Sequence, residues 1–389
     1  MLISLLLACP PEIPEDTATS GDTSVDTAET GDTDTDTDTD TDTDTDSGYT
    51  GPNYSTAVVT TVSDDYASGV LATIDIDTWT ITDSVATAPT DNGVVAEDGK
   101  VYVLGRYGYD FVRVYEPGSW AEPVAEFSLG DYANPQDVAM CGGKLYVSSY
   151  GTSTLTTYDP STWLLNGAVD LSAYADADGV PEIAGMVELG GTLYVALQQL
   201  DQSSYPWAAA GGMVVAVDCA TGTVGQTWNG LVDVSLVEWP GHDAMIARTG
   251  VYYNADYSLA LDGGVMVLDP ATGLSNAYVS EATLGENITD LVMVDDVNGF
   301  MLTQDAASTY TGWCWNIETN GMTELFSTTS YLQGVGADDK GNAWVVARAS
   351  WADPSSQGGI ITVDAKACVA GSESWHQDLT YAPYALAFY

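Results

Sequence analysis

Four carboxylates, Asp137, Glu182, Asp233 and Asp290, each stand just ahead of a short apolar run, well separated along the chain. Hard oxygen donors gathered at one point hold Ca²⁺, so four acids brought to a common axis would form a cation site. Asn92, Gln136 and Gln333 occupy the same place before other apolar runs and would add neutral oxygens. The competing role is plain turn formation. A second set is aromatic. Tyr205 and Trp207 fall in segment 198–212, Tyr252, Tyr253 and Tyr257 in 249–264, Tyr310 in 304–312 and Trp351 in 349–359. Rings on loops stack sugars or grip peptides, because a flat side chain supplies contact area at small entropic cost. The alternative is that they fold back and cap the strands beneath them.

Other chemistry is missing. His242 and His376 have no triad partner suggested by order or spacing, and HExxH, GxSxG and CxxCH patterns are absent from the sequence. Gly211-Gly212 and Gly263-Gly264 precede strand-like runs rather than helices, so they do not cradle phosphate. Asp176-Ala177-Asp178-Gly179 matches the opening of a calcium loop, but the pattern stops there and reads as a turn. Four lysines and four arginines look scattered along the chain, which argues against a cationic cofactor pocket. The expectation is no cofactor, with Ca²⁺ as the one candidate.

What must position these groups is a repeat. An apolar strand, a polar anchor and a turn recur seven times, with anchors Asp75, Glu116, Asp159, Asp218, Asp269, Asn316 and Asp364 spaced 41 to 59 residues apart. That period suits four-stranded blades. The anchoring aspartates are expected to cap turn amides. Second strands are plain in Val101-Tyr102-Val103, Leu145-Tyr146-Val147, Leu193-Tyr194-Val195 and Trp344-Val345-Val346, after turns such as Asp98-Gly99 and Gly142-Gly143. Six inner strands follow, and Tyr384–Phe388 at the C-terminus supplies a seventh to a first blade that lacks one. The predicted fold is an all-β, seven-bladed β-propeller over residues 54–389, closed by that last strand.

The Leu-Tyr-Val and Thr-Tyr-Asp-Pro-Ser-Thr-Trp cadence of residues 145–163 resembles the YVTN-type repeats of bacterial seven-bladed propellers. The resemblance extends over 54–389 and implies the fold; it says little about function, because such propellers host many roles. Propeller lactonases and related hydrolases resemble a channel mouth ringed by oxygen ligands. That likeness implies a Ca²⁺-dependent hydrolase or lyase as the alternative to a binding module.

Residues 1–9 are apolar, and Leu6-Leu7-Ala8-Cys9 resembles a bacterial lipoprotein signal, which implies lipid modification of Cys9. No Lys or Arg precedes the apolar run, a departure from that pattern. Residues 10–53 are rich in Asp and Thr with no packable run, so a disordered, self-repelling linker is expected. Pro10 after the cysteine, where an Asp would imply inner-membrane retention, points to the outer membrane or cell surface. Export makes the four remaining cysteines candidates for bridges: Cys141 with Cys219, on turns of one face, and Cys314 with Cys368 in adjacent blades. Free buried thiols are the alternative.

Eight basic residues face 56 acidic ones, a net charge of −48, which repels phosphate backbones and excludes a nucleic-acid partner. The leading expectation is a monomeric, lipid-anchored envelope propeller, without a catalytic step, holding a glycan, peptide or envelope protein on its loop face.

Overall fold

The computed structural model describes residues 53–389, apart from 204, 205, 210, 276 and 351–357. Cys9 and the acidic segment up to residue 52 lie outside the described residues. Seven antiparallel sheets follow one another around a ring. Their inner strands are Ala382–Phe388, Asn92–Glu97, Pro135–Cys141, Ile183–Leu189, Ser235–Glu238, Asn287–Met293 and Tyr331–Ala337, in blades 1 to 7. Each inner strand packs against the next, and the seventh against the first.

Closure is made by the C-terminal strand. Ala57 pairs with Phe388 and Val59 with Leu386, and Tyr389 exchanges backbone hydrogen bonds with Thr56. Blade 1 is thus built from both ends of the described chain, and Thr56–Val62 is not left as an open edge. The expected propeller and its closure are observed.

Local chemistry sets the strands. Asp98-Gly99, Gly142-Gly143 and Gly190-Gly191 all take positive φ, as two-residue hairpin turns require. The aromatic in the second strand, Tyr102, Tyr146 or Trp344, is at most 2% exposed. Buried apolar residues form clusters that each straddle two neighbouring blades, such as Tyr146 and Leu155 of blade 3 with Val195 and Val215 of blade 4. Two disulfides also cross between blades, Cys141–Cys219 with Cα atoms 5.4 Å apart and Cys314–Cys368 at 5.7 Å.

Two blades depart from the four-strand plan. Blade 4 carries an extra hairpin, Leu200–Asp201 with Ala208–Ala209, and blade 5 has a split outer strand followed by the one-turn helix Glu281–Leu284. Among the described residues no helix is long and apolar enough to cross a membrane.

Candidate functional site

In every blade the inner strand begins, and the second strand ends, on the same side of the ring, here called the front rim. The residue at that end differs between blades. Arg106 follows Lys100–Gly105, Tyr150 follows Lys144–Ser149, and Gln198 follows Thr192–Leu197. Arg248 is the penultimate residue of Met245–Thr249; Gln304 and Arg348 close Asn298–Gln304 and Asn342–Arg348. Three of the four arginines therefore share one rim. The arginines are scattered over blades 2, 5 and 7, as expected, but Arg106, Arg248 and Arg348 occupy nearly the same phase of the repeat and so share this side.

The rim is hydrogen-bonded in sectors. Arg106 Nε donates to Asp91 Oδ1 at 2.9 Å, and the Tyr384 hydroxyl donates to the same oxygen at 3.4 Å. Tyr150 donates to Gln198, whose Nε2 reaches the Val234 carbonyl at 3.3 Å. Arg248 donates to the Ile288 carbonyl at 3.1 Å and to Ser235 Oγ at 2.9 Å. The Arg348 guanidinium lies over two rings, Tyr66 at 4.9 Å and Tyr384 at 5.9 Å. Burial pushes the hydroxyls of Tyr150, Tyr252, Tyr310, Tyr331 and Tyr384 above the usual tyrosine range, so they stay neutral donors. Among the described residues, polar atoms of this side that are buried without a partner include Arg348 Nη1, Gln304 Oε1, Gln333 Oε1, Asn92 Oδ1 and Asp176 Oδ2.

The four predicted acid ligands are not brought together. Asp137 accepts from Val138 N and, across the blade boundary, from Met186 N, both at 2.8 Å. Asp290 repeats the arrangement between blades 6 and 7, accepting from Leu291 N at 2.9 Å and Val335 N at 3.1 Å. A register shift precedes each aspartate and frees it to lean sideways. Burial pushes Asp137 up to about 7. Asp290 and Asp233 rise to about 6, burial outweighing the pull of Arg248.

Glu182 instead joins Asp176 and Asp178, with one ligand oxygen of each lying within 4.8 Å of the others. It is fully buried, accepts from Leu200 N at 3.0 Å and Gln202 Nε2 at 3.3 Å, and is pushed up to about 8 by burial and by the two aspartates. The turn expected at 176–179 is present, with Asp176 accepting from Asp178 N and Asp178 from Val180 N. Its link to Glu182 was not visible in the sequence.

Of the predicted aromatics, Tyr205 and Trp351 lie outside the described residues. Trp207 is half-buried, and Tyr257 is 47% exposed. Tyr252 and Tyr253 meet edge to face at 4.6 Å. Tyr310 is only 3% exposed, set against Tyr331 at 5.9 Å, so for this ring the folded-back alternative holds. Tyr66, Tyr331, Tyr384, Arg248 and Arg348 carry no local sequence signal for this place; for Arg106, Tyr150 and Gln198 there was one, a constant three-residue offset after Val103, Val147 and Val195.

Two concavities lie on the ring. One of about 460 Å³ opens between blades 1 and 2 and is lined by Tyr109, Phe111, Arg113 and Tyr381. Another, of about 530 Å³, lies at the back rim of blade 4 around Tyr194, Trp228 and Pro270. The latter is roomier, but Asp218 is its one charged group beside threonines, Gln226 and Trp228, whereas the front rim gathers cations, so the front rim is the better candidate.

No protein-family model and no curated protein matches the chain. Solved structures do. A Bacteroides uniformis protein provisionally assigned as a 6-phosphogluconolactonase is 11% identical, covering 87% of this chain and 100% of its own, with a TM-score of 0.59. The β-propeller domain of the Trilobed protease from Pyrococcus furiosus is 9% identical, covering 84% and 96%, at 0.53. That domain is described as having an open velcro topology, whereas the present ring is closed by its last strand. Dihydro-heme d1 dehydrogenase NirN is 14% identical, covering 83% and 64%, at 0.52. At these identities the likeness shows the fold alone, which is compatible with binding or with hydrolysis.

Proposed function

We propose that the chain is an exported, lipid-anchored binding propeller that takes its ligand on the front rim without a catalytic step. One observation carries this reading. In a chain of net charge −48, three of four arginines stand on one rim among neutral tyrosine hydroxyls and unpartnered buried amides. Anchoring through Cys9 in the bacterial envelope rests on Leu6-Leu7-Ala8-Cys9. A glycan, peptide or envelope protein fits such a surface, and a nucleic acid does not.

The reading is tested by retention on arrays of glycans and envelope peptides. Trp207→Ala, Tyr66→Ala and Arg348→Lys should each reduce retention with melting little changed. Undiminished retention of all three variants would remove the front rim as the binding surface.

A Ca²⁺-dependent hydrolase is the second reading. It is favoured by the Asp176, Asp178 and Glu182 cluster, where Asp176 Oδ2 is buried without a partner, a donor set that suits a hard cation. Neither histidine assists it: His242 stacks on Trp239 at 3.7 Å and His376 on Trp79 at 3.6 Å, away from the cluster. Elemental analysis finding no stoichiometric metal in the purified protein would dispose of this reading.

A further inference from the structure

Resting on the binding role above, we infer that the rim sector shared by blades 6, 7 and 1 seats an acidic carbohydrate, with its carboxylate on Arg348 and its hydroxyls on Gln304 and Gln333.

Arg348 is the anomaly. It is 6% exposed, and among the described residues it has no carboxylate within ion-pair distance, in a chain where acids outnumber bases sevenfold. Arg106 and Arg113 are paired with Asp91 and Glu126, and Arg248 spends its donors on a carbonyl and a hydroxyl. The Tyr66 and Tyr384 faces steady the Arg348 charge but use none of its N–H groups, and among the described residues Nη1 has no acceptor. A buried guanidinium with an idle donor is costly unless an acceptor arrives.

The neighbouring idle atoms have the opposite polarity. Gln304 is also 6% exposed, and its Oε1 accepts nothing; Gln333 Oε1 is buried in the same condition. The three are linked through the strands. Gln304 is paired with Tyr310, the Tyr310 ring lies 5.9 Å from Tyr331, and Tyr331 is paired with Arg348. Gln333 sits where the register of that inner strand slips. One unsatisfied cationic donor and two unsatisfied acceptors thus share the sector of blades 6 and 7, and the Tyr66 ring against Arg348 is 42% exposed.

That combination selects the ligand class. A simple oxyanion would satisfy Arg348 and leave both amide oxygens without donors. A neutral sugar would supply the hydroxyls and leave the charge unmet. A uronate-type sugar carries a carboxylate, hydroxyl donors and a flat apolar face for Tyr66. An acidic peptide also brings a carboxylate and N–H donors, but it offers the Tyr66 ring no flat sugar face, and the pentaglutamate probe below decides between the two.

The test is calorimetric titration of the full chain at about 0.15 M salt, where a Debye length of about 8 Å screens the overall negative field. Probes are trigalacturonate, neutral galactotriose, a pentaglutamate peptide and sodium sulfate. Trigalacturonate should bind, galactotriose and sulfate should not, and Arg348→Met should weaken trigalacturonate by about tenfold or more. Gln304→Leu and Gln333→Leu should each cause a smaller loss. Should Arg348→Met fail to fold, Arg348→Lys and Gln333→Leu carry the same comparison. Equal binding of galactotriose, tighter binding of pentaglutamate, or indifference to Arg348 would each overturn the inference. If trigalacturonate fails while array retention still depends on Trp207 and Tyr66, the ligand class is wrong and the binding role stands; if retention is indifferent to the rim, that role fails first.

Discussion

Aspartates do the same elementary task at the two rims of this ring, in opposite surroundings. At the back rim, Asp75, Asp159, Asp218 and Asp269 accept from turn amides and hydroxyls: Thr78 N at 2.8 Å, Ser161 N at 2.8 Å, Thr221 N at 2.8 Å and Ala271 N at 2.7 Å. Hydrogen bonds from the turn hydroxyls and amides hold all four below the usual carboxylate range. At the front, Asp137 accepts two N–H bonds of equal length and still rises to about 7, because burial outweighs them. Asp290 behaves alike. Partner count does not decide the charge; water does.

The contrast breaks most sharply if the front acids are removed. Asp137→Ala leaves Met186 N and Val138 N unpaired between two inner strands and should cost about 2 kcal/mol, seen as a lower urea midpoint. Asp290→Ala should match it, and since the two lie in blades 3 and 6 their costs should add. A double variant no worse than either single one would mean the ring does not use these bridges.

Titration of the unmodified chain separates the two sets. Front acids have folded pKa values above their unfolded ones, so the stability they contribute is full below about pH 4 and is lost as pH rises through about 6 to 7. Back acids have values lowered from the ordinary 3.8, so their contribution is full above about pH 4 and is lost only as pH falls through the lower folded value. Melting should therefore be higher at pH 5 than at pH 7.5, and easing of the −48 net charge acts in the same direction. A flat profile between those values would show that the axial acids titrate normally.

The smallest effects belong to the back turns. Asp159→Ala should lower the melting temperature less than Asp137→Ala does, and the deficit should shrink as the pH is taken below the ordinary carboxylate range. Asp159→Asn should be nearly silent, because blade 6 already uses Asn316 there, accepting from Thr319 N and Oγ1 at 3.0 Å.

The back rim was legible in the sequence and the front rim was not. Asp75 meets Thr78 three residues on, so turn and partner appear together in one line of text. Asp137 meets Met186, Glu182 meets Asp176 and Asp178, and Arg348 meets Tyr66 and Tyr384 through neighbouring blades or loops. No local pattern announces those meetings. Tyr310 looked like a loop aromatic and is wall, since its strand begins there and its ring turns against Tyr331.

The chain alone therefore determined the hairpin turns and capping aspartates, set by contacts a few residues apart, and the number of blades and the closing strand, set by counting a repeat whose first unit lacks a strand that the last residues supply. Only the closed ring decided which groups face each other across blades, and with that which acids hold protons and which arginine is left with a free donor. Charge and recognition depend on burial, and burial here is a property of the assembled circle.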